Sequence, residues 1–196
     1  NDQQQVFANF SQGFSLPDIQ RVLRDVSASY VVRSENVNPI TVNNYELGWR
    51  MQNDHGANLG LTSFYNTSDK VIQFKADRSV TVADTDQRVY GLKANASMPV
   101  LDQFNVGGTV SYTRGQFKDA AGTWRELNAL QVSPIKGTVF GEWQDTQGNG
   151  LRVQMLAVKG TDKAYEDARV AKYDANVRPN AATKIKGYAV MDVIAN

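Results

Sequence analysis

The chain contains no cysteine. That excludes a disulfide framework, a thiolate metal site and a cysteine nucleophile. Its single histidine, His55, sits in the run Asn53-Asp54-His55-Gly56, which is turn chemistry and not a catalytic or metal-ligating arrangement. Neither sign of charge dominates: 21 Lys and Arg stand against 20 Asp and Glu, a net of +1, so there is no electrostatic case for nucleic acid. Mean hydropathy is −0.44, and no apolar run is long enough for a transmembrane helix. A transmembrane barrel escapes that test, because only every second residue of its strands must be apolar. No glycine-rich phosphate loop and no metal-ligand cluster occurs. The polar opening, Asn1-Asp2-Gln3-Gln4-Gln5, carries no signal-peptide pattern. Prolines are few: Pro17, Pro39, Pro99, Pro134 and Pro179 are all expected in connections, where a missing N–H breaks no ladder.

What is present is alternation, clearest over residues 90–114. Tyr90, Leu92, Ala94, Ala96 and Met98 fall on one face of a strand, with Gly91, Lys93, Asn95 and Ser97 on the other. After a turn, Phe104, Val106, Gly108, Val110 and Tyr112 alternate with Asn105, Gly107, Thr109, Ser111 and Thr113. The unit is a hairpin with one apolar face and one small, polar face. Its arms of about ten residues match a tilted strand crossing a bilayer.

The same pattern recurs along the chain. Val6, Ala8 and Phe10 alternate with Phe7, Asn9 and Ser11 in a first strand expected to end near Gly13. A long connection to residue 43 contains a short helix predicted over 16–24, with Pro17 in its first turn. Tyr45, Leu47, Trp49 and Met51 mark a second strand. A third runs over 58–72, followed by a loop expected over 75–86. A long connection is expected over 115–135. Strands follow over 136–144 and 151–160, joined by an Asn-Gly turn. Residues 162–186 read as a long polar connection with a helix near 163–172, and a last strand starts at Gly187. Long and short connections thus alternate, as in a barrel with brief turns at one end and long loops at the other. Residues 190–195 form a strand with no terminal turn, so the reading expects a segment of a larger barrel.

The aromatics Tyr45, Trp49, Phe104, Tyr112 and Trp143 lie near strand ends on the apolar face, where interface girdles place them. Glu46, Glu142 and Asp192 fall on the polar face and are expected to pair with Arg50, Lys93 or Arg152. The acidic pairs Asp84/Asp86 and Glu166-Asp167 read as solvated loop charge. A glycosidase carboxylate pair has no support in the spacing.

Read in order, Asn9-Phe10-Ser11-Gln12-Gly13-Phe14-Ser15-Leu16-Pro17-Asp18, Asn44-Tyr45-Glu46-Leu47-Gly48-Trp49-Arg50, Phe64-Tyr65 with Ser68-Asp69-Lys70, Arg88-Val89-Tyr90-Gly91-Leu92, Ser133-Pro134 and Gly187-Tyr188 resemble TonB-dependent outer-membrane receptors. The resemblance covers essentially the whole chain and is closest to siderophore receptors of the ferric aerobactin, hydroxamate type. It implies an all-β fold: an antiparallel meander of about eight strands, part of a transmembrane barrel of about 22 strands with a plugged lumen. Residues 1–196 are then part of the barrel domain, without its plug and final strands. The resemblance implies the outer membrane of a Gram-negative bacterium, no enzymatic activity and no resident cofactor. The partners implied are a ferric siderophore, outer-membrane lipid, and TonB acting through the plug. Anionic iron chelates call for arginine and aromatic side chains at the loop end. The expected contacts are Phe14, Arg21 and Arg24, then Trp124 and Arg125. Solvated loop charge or contact with lipopolysaccharide is the alternative for each. The alternative for the whole chain is a secreted all-β module of the carbohydrate-binding type. A sandwich would need large residues throughout its apolar face, and Ala94, Ala96, Gly108, Ala157 and Ala189 make this one thin.

Overall fold

The computed structural model describes residues 3–15, 39–74, 80–119, 121–127, 131–161 and 185–196. These form nine strands: β1 (Gln4–Ser15), β2 (Ile40–Gln52), β3 (Asn58–Phe74), β4 (Val80–Leu101), β5 (Phe104–Lys118), β6 (Trp124–Glu126), β7 (Lys136–Gln144), β8 (Gly150–Val158) and β9 (Tyr188–Ala195). All belong to one sheet in the order β1-β2-β3-β4-β5-β7-β8-β9, with β6 paired to β5. Each described pairing is antiparallel.

One end of the sheet is closed by tight turns. Asn53 Oδ1 accepts from the backbone N–H of His55 (3.1 Å) and Ala57 (2.8 Å). Asp145 Oδ1 does the same for Gln147 and Asn149, both at 2.8 Å. Gly56 (φ 80°) and Gly148 (φ 95°) take the left-handed conformation that such turns require. His55 is therefore a turn residue, as its neighbours imply.

Register sorts the side chains onto two faces. Val6 pairs with Trp49, Ala8 with Leu47 and Phe10 with Tyr45. Tyr45 pairs in turn with Tyr65, and Tyr65 with Tyr90. The same face continues through Ala94 and Val110, Met98 and Val106, then Val139 and Met155, Val153 and Val193. Nothing among the described residues covers this face. On interior strands Leu92, Val110 and Val139 are 49%, 50% and 56% exposed, and no side chain among the described residues is fully buried. The one hydroxyl in the middle of this face, Ser63, turns back onto the carbonyl of Leu47 at 3.2 Å, satisfying itself within the sheet.

Aromatic rows bound the apolar band. Towards the loop end run Phe10, Tyr45, Tyr65 and Tyr90, with successive ring centroids 5.1, 6.5 and 6.1 Å apart. Towards the turn end stand Trp49, whose indole N–H donates to Gln4 Oε1 (3.3 Å), and Trp143, which donates to Gln103 Oε1 (3.1 Å) and pairs with Phe104.

Three expectations change. Residues 80–86 are strand and not loop: beyond a register shift at Ser68/Lys70, the ladder continues from Lys70↔Asp84 to Phe74↔Val80. The backbone pairs on past the apolar band, so this hairpin stands taller than its neighbours and its connection shrinks to 75–79. The strict alternation of long and short connections fails here. Second, the connection after β5 contains β6, three residues that extend the ladder at Gln116↔Glu126 and Lys118↔Trp124. Third, Pro99 lies inside β4, at a register shift between Pro99 and Leu101 where its missing N–H is tolerated. The helices expected over 16–24 and 163–172 lie outside the described residues.

Candidate functional site

Beyond the tyrosine row, β5 carries two different rows of side chains. Arg114, Gln116 and Lys118 continue the face of Phe104 to Tyr112, and Thr113, Gly115 and Phe117 continue the polar face; no register shift separates these residues from the band below. On the first face a connected network forms. Arg114 Nε donates to Glu126 Oε1 at 2.8 Å, and Arg114 Nη2 forms an ion pair with the same oxygen. The Gln116 amide donates to Glu126 Oε1 (2.9 Å), and Arg88 Nε donates to Gln116 Oε1 (2.9 Å). The Arg88 guanidinium lies 4.0 Å above the Trp124 ring, and Lys118 Nζ lies 5.4 Å from it. Lys118 is also ion-paired to Asp86 at 2.7 Å. Asp84 and Asp86 are thus strand and not loop residues, with cationic neighbours, Lys70 at 3.8 Å and Lys118, and both carboxylates remain solvent-exposed as expected.

On the opposite face, Arg125 pairs in register with Phe117. Its Nε donates to Asp119 Oδ2 at 2.9 Å. Asp119 Oδ1 accepts from the N–H groups of Ala121 (3.0 Å) and Thr123 (2.9 Å). These bonds, the Arg125 side chain first and then the Thr123 backbone, hold the Asp119 carboxyl below its ordinary range. Nearby, Leu127 is buried against Gly115, and its N–H donates to the Gly115 carbonyl at 2.8 Å. Leu127 and Val132 therefore lie over the polar face at Gly115.

Lower on the polar face, three phenylalanines lie across the glycine directly opposite: Phe7 on Gly48, Phe64 on Gly91 and Phe140 on Gly107. Each ring carries a cation: Arg50 at 4.8 Å, Lys93 at 5.1 Å and Arg152 at 3.9 Å. Of the pairings expected for Glu46, Glu142 and Asp192, the one between Glu142 and Arg152 forms, at 3.3 Å. Asp192 accepts instead from Gln154 at 3.2 Å. Arg50 and Lys93 stand on aromatic faces, where a ring quadrupole replaces a carboxylate.

The residues expected to meet a ligand are therefore separated. Phe14 is 77% exposed near the end of β1, in the same row as Phe10. Trp124 stands on the outer row with Arg88, and Arg125 on the opposite face. Arg21 and Arg24 lie outside the described residues. Sequence reading missed Arg88, Gln116 and Glu126, whose link to Trp124 needs the β5–β6 register, although their every-second-residue spacing was visible. Among the described residues no group of three or more His, Asp or Glu side chains could hold a metal ion.

Residues 1–196, the whole chain, match the family described as TonB dependent receptor-like, beta-barrel. The chain belongs to this family. Its members are outer-membrane proteins of Gram-negative bacteria, so the uncovered apolar face is the lipid face and the polar face lines the barrel lumen. The secreted sandwich is overturned. Among curated proteins, a rhizobactin receptor of Rhizobium meliloti (strain 1021) is 32% identical over 149 residues, covering 69% of this chain and 20% of that protein. Ferric aerobactin receptors of Klebsiella pneumoniae and Escherichia coli are each 28% identical, covering 100% and 98% of this chain and 26% of their own length. The chain thus spans about a quarter or less of these relatives. Among solved structures it resembles the copper transporter OprC (TM-score 0.72, 14% identity, 98% of this chain and 29% of that one). It also resembles the FrpB iron transporter from Neisseria meningitidis (TM-score 0.70, 13% identity, 100% and 30%). At such identities the structural likeness speaks for the fold alone.

Proposed function

We propose that this segment is part of an outer-membrane receptor that takes up ferric siderophores and is energised through TonB. The observation that carries the reading is similarity along nearly the full chain to receptors named for ferric aerobactin. The geometry agrees with it: a lipid-facing wall, loops gathered at one end, and a polar lumenal face lined with cations held on aromatic rings. The wall performs no covalent chemistry in this reading; the ferric chelate is cargo and not a resident cofactor. Coupling to TonB runs through the plug domain of the whole receptor. Loop-end side chains capture the chelate before the plug rearranges. Of the expected contacts, Arg125 has the placement that suits the task, since it stands on the lumenal side of β6 with a guanidinium exposed beyond its bond to Asp119. Arg21 and Arg24 are the further candidates; Phe14 and Trp124, which stand on the lipid-facing row, are not proposed as contacts.

The test is uptake of radiolabelled iron by a Gram-negative host that lacks its own siderophore receptors and expresses the full-length protein. Uptake from a ferric hydroxamate siderophore that stops when TonB is deleted is expected. A protein correctly placed in the outer membrane that imports iron from no siderophore would sink the proposal.

A further inference from the structure

One lumenal rung of the sheet is divided between charge and hydrocarbon. The pairings Lys93↔Ser111, Ser111↔Lys136, Lys136↔Val158 and Val158↔Tyr188 join residues of five adjacent strands, β4, β5, β7, β8 and β9, into a single row. Its side chains share the face of Phe140, Glu142 and Arg152, which is the lumenal one. Lys136 opens β7, Val158 closes β8 and Tyr188 opens β9, so the row lies at the loop end of these strands. The β4 side of the row is cationic. Lys93 Nζ lies 5.1 Å from the Phe64 ring. Lys136 stands two strands away, roughly 10 Å across the sheet, with Ser111 between. Among the described residues neither lysine is ion-paired to a carboxylate. The β9 side is apolar. Val158 and Tyr188 end the row, and the next lumenal pair is Leu156↔Val190. Leu156 and Val158 are half-buried on an interior strand. Further down the same face polar side chains bond one another: Gln154 donates to Asp192, and Arg152 pairs with Glu142. A barrel interior is polar, so four contiguous apolar side chains at its loop end are out of place unless something apolar covers them.

We propose that this row selects an amphiphilic ferric chelate, with its anionic part on Lys93 and Lys136 and an aliphatic chain laid over Leu156, Val158, Tyr188 and Val190. The inference rests on the uptake reading and names a substrate class within it. Charge complementarity argues for this occupant. A chelate that carries both a negative group and an alkyl appendage matches the two halves of the row at once, whereas a purely apolar cover would leave the adjoining lysines without a counter-charge. Lys93 is already placed by the Phe64 ring, and the Ser111 hydroxyl between the lysines can donate to the same anion. The apolar half is built from branched aliphatic side chains with one aromatic ring at its rim, a surface that fits an alkyl chain. Its place beside the loops puts it within reach of a chelate that the loops have captured.

The experiment measures binding to the full-length receptor in lipid nanodiscs of a ferric trihydroxamate with one free carboxylate, and of the same chelate bearing an octanoyl chain. Empty nanodiscs correct for partition of the chain into lipid. The receptor is expected to prefer the acylated chelate roughly tenfold, the scale of two methylene groups removed from water. Val158→Thr combined with Val190→Thr keeps the branched side-chain shape and is expected to lose most of that preference, weakening the acylated chelate more than the plain one. Lys136→Gln is expected to weaken both chelates alike, roughly tenfold for one lost charge-assisted hydrogen bond, and to keep the preference. Heat-modifiable migration on gels checks that each variant is folded; should the double variant fail to assemble, Leu156→Asn carries the same test. Equal binding of the two chelates would overturn the inference. So would a preference that survives in the folded patch variants, which would assign the patch to packing within the receptor. Binding and import of the plain chelate would leave the uptake reading standing whatever the acyl chain does, whereas binding of neither chelate would contradict both.

Discussion

Replacing Val139 by arginine places a charge midway across the apolar band. Val139 pairs with Gly108 on β5. Four residues below Gly108 stands Phe104, beside Trp143, and four residues above stands Tyr112. Each half is about 13 Å of strand, so Val139 lies near the bilayer midplane, and it is 56% exposed on that face. An arginine there costs about 2–4 kcal/mol, roughly a 30- to 900-fold loss in the folded-to-unfolded ratio. Thr138, one residue away, points into the lumen and shares a 2.7 Å hydroxyl hydrogen bond with Thr109. Arginine there forfeits that bond, worth about 1 kcal/mol, and carries no hydrocarbon penalty. The assay is reversible unfolding of the full-length protein in guanidinium with lipid vesicles, comparing Val139→Arg with Thr138→Arg. A larger cost at Thr138 than at Val139, or equal costs, would refute the assignment of faces.

Two further outcomes are expected. A Cβ at Gly107 would stand 2.6 Å from Phe140 Cζ and 2.7 Å from the Ala96 carbonyl oxygen, whereas at Gly141 it would meet nothing within 4 Å. Gly107→Ala is therefore expected to lose about 1–3 kcal/mol by overpacking, with Gly141→Ala near neutral in the same unfolding assay; parity between them would count against the Phe–Gly packing. The depressed Asp119 carboxyl stabilises its turn at all pH values above the unfolded carboxylate value of about 3.9, and that contribution disappears as pH falls through the lower folded value. Amide exchange at Ala121 and Thr123 should thus show no pH-dependent loss of protection until about pH 4 or below; opening near neutral pH would contradict the turn.

What the sequence disclosed depended on period two. Tyr90 to Met98 and Phe104 to Tyr112 announce both strands and both faces, because hydrocarbon on one side and a wet lumen on the other impose a sharp alternation. The alternation weakens once a strand leaves the membrane. Residues 84–88, Asp-Thr-Asp-Gln-Arg, resemble a loop in composition although they belong to β4, with Asp84, Gln87 and Arg88 in the ladder to β3, since neither face there needs to be apolar. β6 is too short for any period to register. The cross-strand partners of Phe7, Phe64 and Phe140 depend on register, which pairs residues far apart in sequence, as Phe7 with Gly48, 41 positions away. Trp124 and Arg125 looked equivalent as neighbours in one loop; a strand ladder sends them to opposite faces.

The central claim is that the alternate residues of β5 face lipid and lumen. These 196 residues contain no cysteine, so single-cysteine substitution along 104–112, in the full-length protein with any cysteine elsewhere replaced and reconstituted in vesicles, places one fluorophore at each position. Quenching by a lipid-confined quencher should be strong at 104, 106, 108, 110 and 112 and weak at 105, 107, 109 and 111, with a water-soluble quencher giving the reverse. Uniform quenching along the strand, or lipid quenching at 105, 107, 109 and 111, would contradict the account.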